Sequence, residues 1–290
     1  MRRLPAALVA FALAGTALAA RAQIQNPTFS SKVEAVRVDV LVTEDGKPVR
    51  GLRAADFEIF DNGVRQTVDI ASSAELPLNV VFSFDLSGSI VGERLGNLRE
   101  ASHAVLGGLK KGDQAALVNF NDALLIGPAL TGDTGLVRAA IDRAEPTGDT
   151  SLIDASFAGI LLAESDVGRG LVIVFSDGLD TSSWLRPKAV LDVAKRSDAV
   201  VYAVSAGLAT KAEFLGDLTE QTGGRLFRIE STRGLSAVFL EVLDEFRQRY
   251  LLSYSPAGVS QVGWHQLTVR VKGRGATVRA RPGYMAGQSQ

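Results

Sequence analysis

A carboxylate and two hydroxyls share one short turn at Asp85-Leu86-Ser87-Gly88-Ser89. Such side chains are hard oxygen donors, which Mg2+, Mn2+ or Ca2+ take in preference to nitrogen or sulfur. Further oxygen donors stand in two later loops, Pro146-Thr147-Gly148-Asp149-Thr150 and Phe175-Ser176-Asp177-Gly178. Other chemistry has little to build on. The chain has no cysteine and only two histidines, His103 and His265, neither of them near these loops. Thiolate sites, zinc sites and Ser-His-Asp triads are thereby disfavoured. The three loops hold no lysine, and the chain has no Gly-x-x-x-x-Gly-Lys phosphate cradle. The residues predict binding rather than catalysis, and the chain is read as no enzyme.

For these loops to meet, they must lie at one edge of one sheet. From residue 78 the sequence supplies such a sheet: apolar runs at 78–84, 115–119, 171–176 and 199–206 are rich in Val and Ile and barely alternate. That is the pattern of parallel strands buried on both faces. Amphipathic helices lie between them, with Leu95, Leu98, Ser102, Val105 and Leu109 on one face of the first, and Leu136, Val137, Ala140, Ile141 and Ala144 on one face of the next. The last helix carries Leu235, Val238, Phe239, Val242, Leu243 and Phe246 at helical spacing. Strands alternating with helices predict an α/β fold, a doubly wound, mostly parallel sheet flanked by helices. Ligands of such sheets collect at the carboxyl ends of the strands, where all three loops fall.

The flanks follow a different pattern. Val36, Val38, Val40 and Val42 alternate with Arg37, Asp39 and Leu41, and two further strands, at 57–60 and 64–70, join across Asp61-Asn62-Gly63. After Arg249, segments 250–255, 265–271 and 276–280 read as strands again. Neither group alone can bury a face. The two ends are therefore expected to form one small β-sandwich, with the α/β domain at 78–249 inserted between an N-terminal β segment at 33–75 and a C-terminal one at 250–284.

The five residues Asp85, Ser87, Ser89, Thr150 and Asp177 stand in the order and spacing of a metal-ion-dependent adhesion site, and between residues 78 and 249 the chain resembles the von Willebrand factor A family. The flanking strands and the turn at Arg281-Pro282-Gly283-Tyr284 are similar to those of exported bacterial proteins of this type. The resemblance implies that Ser87, Ser89 and Thr150 ligate a divalent ion directly, that Asp85 and Asp177 act through water, and that an acidic side chain of a partner completes the octahedron. Mg2+ is the expected ion, with Mn2+ or Ca2+ as alternatives. The expected partner is a protein or peptide with an exposed Asp or Glu. A metal-independent scaffold docking through a sandwich edge is the alternative. Where the family often has Gly-Gly-Thr, this chain has Gly148-Asp149-Thr150, and Asp149 is expected to face solvent as a turn residue.

The whole chain sets further limits. Against 31 Lys and Arg stand 32 Asp and Glu, a net charge of −1 with no basic block, so nucleic acid is not an expected partner. Arg2 and Arg3, an apolar run over 4–20 and Ala20-Arg21-Ala22 have the order of a secretory signal peptide at 1–22, cleaved near Ala22. The run contains Pro5 and falls short of the roughly 20 residues of a spanning helix, and no later stretch is apolar enough, so no transmembrane segment is expected in the mature chain. Localisation follows as exported, periplasmic or secreted. Ser151-x-x-Asp154 reads as a capping box at a helix start. Trp184, close behind the third loop, offers either a partner-facing ring or a loop-burying one. The last helix enters the following strand with no Gly or Pro between, so a shift of that helix would pull on the sandwich.

Overall fold

The computed structural model describes residues 35–72, 76–164, 167–206 and 212–287. The leader expected at 1–22 lies outside them. The described residues open with β1 (Val36–Glu44), which turns back into β2 (Lys47–Pro48), then β3 (Phe57–Asp61), β4 (Val64–Gln66) and β5 (Ile70–Ser72). Asn62 and Gly63 both take positive φ, 48° and 81°, so the β3–β4 hairpin is the tight turn expected of Asn-Gly.

The α/β unit follows: β6 (Leu78–Asp85), α1 (Glu93–Gly107), β7 (Gln114–Phe120), β8 (Leu124–Ile126), α2 (Thr134–Arg143), α3 (Leu152–Ala163), β9 (Arg169–Ser176), α4 (Pro187–Ala194), β10 (Val200–Ser205), α5 (Glu213–Gln221), β11 (Leu226–Arg228) and α6 (Leu235–Arg247). Its strands form one six-stranded sheet in the order β11-β10-β9-β6-β7-β8, parallel except for the edge strand β8. Every residue of β6 is buried. Val80, Phe82 and Phe84 face the layer holding Leu98, Val105, Val137, Phe239 and Phe246, while Val81 faces that of Leu152, Ile160, Val190 and Leu215. The sheet is thus covered on both sides, the reason its strands read as continuous apolar runs. From β6 the chain steps to β7 on one side and reaches β9 on the other, which places the topological switch point at the end of β6.

The last strands are β12 (Tyr250–Tyr254), β13 (Gly263–Val271), β14 (Thr277–Arg279) and β15 (Gly283–Ala286). Together with the first group they make two sheets, β14-β1-β12-β5 with β2 on β1, and β15-β13-β3-β4. Val38, Val40, Tyr250, Leu252 and Tyr254 of one sheet and Ile59, Leu267 and Tyr284 of the other share a single core. The fold is therefore an α/β sheet inserted in a β-sandwich built from both flanks. The segment expected as one strand at 64–70 instead divides between the sheets, β4 in one and β5 in the other. At the break Gln66 exchanges side-chain hydrogen bonds with the backbone of Ala257, so partners far along the chain decide where the strand stops.

The insertion is fastened through buried charges at the amino-terminal edge of its sheet. Arg169, the first residue of β9, donates through Nε to Oδ1 of Asp39 in β1 at 2.9 Å and lies over the Phe246 ring. Arg249, fully buried between α6 and β12, donates to the Tyr202 hydroxyl at 3.0 Å and to the carbonyls of Gly223 and Asp39. An axial shift of α6 would have to break these bonds.

Candidate metal centre

Four loops meet at the opposite, carboxyl-terminal edge. The turn after β6 and the loop before α3 are tied by backbone bonds, Gly88 N–H to the Gly148 carbonyl at 3.1 Å and Thr147 N–H to that of Leu86 at 2.8 Å. Gly148 has φ of 71°, and a Cβ there would lie 2.1 Å from Oδ1 of Asp122, so only glycine suits this crossing. The loop after β7 supports the same segment from below, because the Asn121 carbonyl accepts from both the amide and the hydroxyl of Ser151 at 2.7 Å. The loop after β9 closes over the threonine: the amides of Thr181 and Ser182 donate to the Thr150 carbonyl at 2.9 and 3.0 Å, and Thr150 N–H donates to the Thr181 hydroxyl.

Within this frame the structure brings the five sequence-predicted residues to one sheet edge. Asp85 is fully buried, with Oδ1 accepting from the Ser87 amide at 2.8 Å and Oδ2 from the Ser176 hydroxyl at 2.7 Å. Burial pushes its pKa up; the Ser176 and Ser87 hydrogen bonds pull it down, and Asp177 nearby adds to the rise. The hydroxyls of Ser87 and Ser89 lie 3.1 Å apart. Among the described residues, the Thr150 hydroxyl has no hydrogen-bond partner, and Asp177, half-buried, uses one carboxylate oxygen to hold the Leu179 amide. Hydroxyl and carboxylate oxygens with unused lone pairs are a donor set that suits a hard divalent cation. Asp149 is exposed, as its place in a turn predicts.

Sequence reasoning missed several supports. Ser176 stood in the third loop without being singled out, although as the last residue of β9, beside β6, it reaches Asp85. The capping box at Ser151 does not form: the Ser151 hydroxyl serves Asn121, and the Asp154 carboxylate accepts the amides of Trp184 and Leu185 at 3.0 and 2.9 Å. The open amides of α3 are met instead by Asp180 and Ser183, which accept from Ile153 at 3.2 and 3.1 Å. Trp184 is 94% exposed, which excludes the loop-burying role. His265 lies far from this edge in the sandwich, where Nδ1 meets Oδ1 of Asp61 at 2.7 Å.

A sequence profile of the von Willebrand factor type A domain matches residues 79–241, more than half of the chain. The chain belongs to this family. Curated relatives include the inter-alpha-trypsin inhibitor heavy chain H2 of Sus scrofa, 22% identical over 234 residues, covering 73% of this chain and 25% of that protein. Heavy chain H4 of Bos taurus is 23% identical over 222 residues, covering 70% of this chain and 24% of its own. The chain thus spans about a quarter of the length of these relatives. Among solved structures, proximal thread matrix protein 1 from the mussel byssus, with zinc in its adhesion-site motif, superposes with a TM-score of 0.51 at 18% identity over 63% of this chain and 48% of its own. A mutant PilB minor pilin of Streptococcus sanguinis also gives 0.51, at 14% identity over 61% and 63%. These likenesses support the fold. No helix among the described residues is long and apolar enough to cross a membrane.

Proposed function

We propose that this von Willebrand factor A domain protein is an exported binding protein that holds an acidic group of a protein or peptide partner through a divalent ion. Ser87, Ser89 and Thr150 would ligate the ion through their hydroxyls, and Asp85 and Asp177 through water. The ion supplies positive charge at an edge otherwise lined by carboxylates, which an Asp or Glu of the partner can then approach. The observation that supports this reading is the convergence at one sheet edge of three loops that bear three hydroxyls and two carboxylates, tied together by backbone bonds between Gly88 and Gly148 and between Thr181 and Thr150. Residues 78–249 would form the binding unit, and 33–75 with 250–284 the platform that carries it. Docking by strand addition is the weaker reading, because the sandwich edges β4, β5, β14 and β15 are only three or four residues long.

Titration calorimetry on the full chain tests the metal. Mg2+ is the expected ion, Mn2+ and Ca2+ its alternatives, and Zn2+ belongs in the series because the byssus protein holds it. One site is expected, lost in Asp85→Ala and in Thr150→Val. A titration unchanged in both variants removes the proposal.

A further inference from the structure

Trp184 has the largest exposed fraction of any large apolar side chain among the described residues, 94%. An indole left in water forgoes the burial of some 150–250 Å² of largely apolar surface. Yet its loop is not loosely held. Asp154 takes the amides of Trp184 and Leu185, Ser183 bonds both Asp180 and the start of α3, and Leu185 packs into the core beneath. The backbone is clamped from both sides while the ring points out. Such preorganisation lowers the entropy lost on binding, and rigid aromatic anchors dominate binding energy at interfaces.

The same loop is pinned to Thr150, since Ser182 N–H donates to its carbonyl at 3.0 Å. Trp184 stands two residues farther on, at most about 7 Å of chain. Two more exposed apolar side chains lie beside proposed ligands: Val91, 56% exposed, two residues after Ser89, and Leu179, 40% exposed, two residues after Asp177. Charge complements this surface for an acidic segment. Arg94 reaches the Ser89 carbonyl from an exposed position, and Arg186, also exposed, follows Trp184. The exposed carboxylates of Asp122 and Asp149 leave the ion as the point on this edge where a partner's acid is drawn.

We infer that Trp184 is the specificity anchor of the metal face, and that the partner is an extended segment with an aromatic or large aliphatic residue close to its acidic one. The inference rests on the metal reading above. An extended chain advances about 3.3 Å per residue, so the apolar side chain falls within about four positions of the acid.

The test uses synthetic peptides on a Gly-Ser background: one with Asp and a Phe three positions away, one with Asp alone, one with Phe alone. The chain has two tryptophans, so Trp264→Phe leaves Trp184 as the sole indole reporter. With Mg2+ present, the Asp-Phe peptide should shift Trp184 emission to the blue and bind about tenfold tighter than the Asp peptide, a typical margin for an aromatic anchor. Trp184→Ala in the otherwise natural chain should erase that margin, read by anisotropy of labelled peptides, while leaving the Mg2+ titration and the binding of the Asp peptide intact. Trp184→Phe should keep most of it. Equal binding of the Asp and Asp-Phe peptides, or a margin that survives Trp184→Ala, overturns the inference and leaves the metal reading standing. Binding that chelator does not reduce overturns both, and so does the absence of binding by every peptide.

Discussion

The two edges of the six-stranded sheet handle polar groups in opposite ways. At the amino-terminal edge, Arg169, Arg249 and Asp39 are deeply buried, and each is matched by a charge, a carbonyl or a ring. At the carboxyl-terminal edge, Asp85 is equally buried, but Ser87, Ser89, Thr150 and Asp177 around it keep bonding capacity unspent. Burial of charge is tolerated only where pairing offsets lost hydration. The first edge therefore reads as a closed joint, and the second as a set of donors arranged for something from outside. The lesson is that unsatisfied capacity, rather than charge itself, separates a site from a fastening.

The strongest way to break this contrast is at the joint. Asp39→Ala leaves Arg169 buried without its carboxylate and should destabilise the protein by about 3–5 kcal/mol, read from the shift in denaturant midpoint. The Mg2+ titration of the folded variant should not change, since the ligands lie at the far edge. A loss under about 1 kcal/mol would make the joint no different from a surface ion pair. The same reasoning says that residues 78–249 expressed alone are weakened by the stranding of Arg169, whose carboxylate partner lies outside that stretch.

A second test lies in the sandwich. Tyr254 and Tyr284 both donate to Oδ2 of the buried Asp61 at 2.9 Å. Burial, with Asp61 adding to it, pushes the Tyr284 hydroxyl from the ordinary 10.0 up to about 12 and raises Tyr254 as well. The folded state then binds more protons than the unfolded chain between these values. The stability that Tyr284 contributes is complete below about pH 10 and is lost as pH rises through about 12. Denaturation midpoints should fall across that window, and less steeply in Tyr284→Phe. Parallel curves for the two proteins would contradict the linkage. The smallest effect is expected at Asp149, where a solvent-facing carboxylate gives Asp149→Asn an Mg2+ affinity within about twofold of the natural chain. A larger loss would move Asp149 into the metal's surroundings.

Much of the fold was legible because buried parallel strands and half-buried flanking strands leave different periodicities. The five candidate ligands were legible because each stands at the end of an apolar run or in a turn before a helix. Groups whose partners lie far along the chain were not. Asp39 stood at an alternate position of a half-buried strand and Arg249 at the end of a helical pattern, and Arg169 carried no local signal; the Asp39–Arg169 pair exists only once the insertion docks. Asp154 had the local spacing of a cap, but amides thirty residues later claim its carboxylate. The 64–70 run carried no local sign that it would change sheets.

The place where the insertion leaves and rejoins the sandwich bears on how the chain folds. β5 and β12 are hydrogen-bonded neighbours, so the long insertion begins and ends on adjacent strands. Bringing ends so distant together in an unfolded chain carries a large closure entropy, but once the α/β unit has folded its two ends already sit side by side. Its core consists of contacts within one stretch, whereas β1 must wait for β12, and β3 for β13. This topology favours an order in which the α/β unit folds first and the sandwich last. Because synthesis runs from the amino terminus, β1 and β3 emerge well before β12 and β13, and through that interval each has only the short neighbour β2 or β4 to pair with.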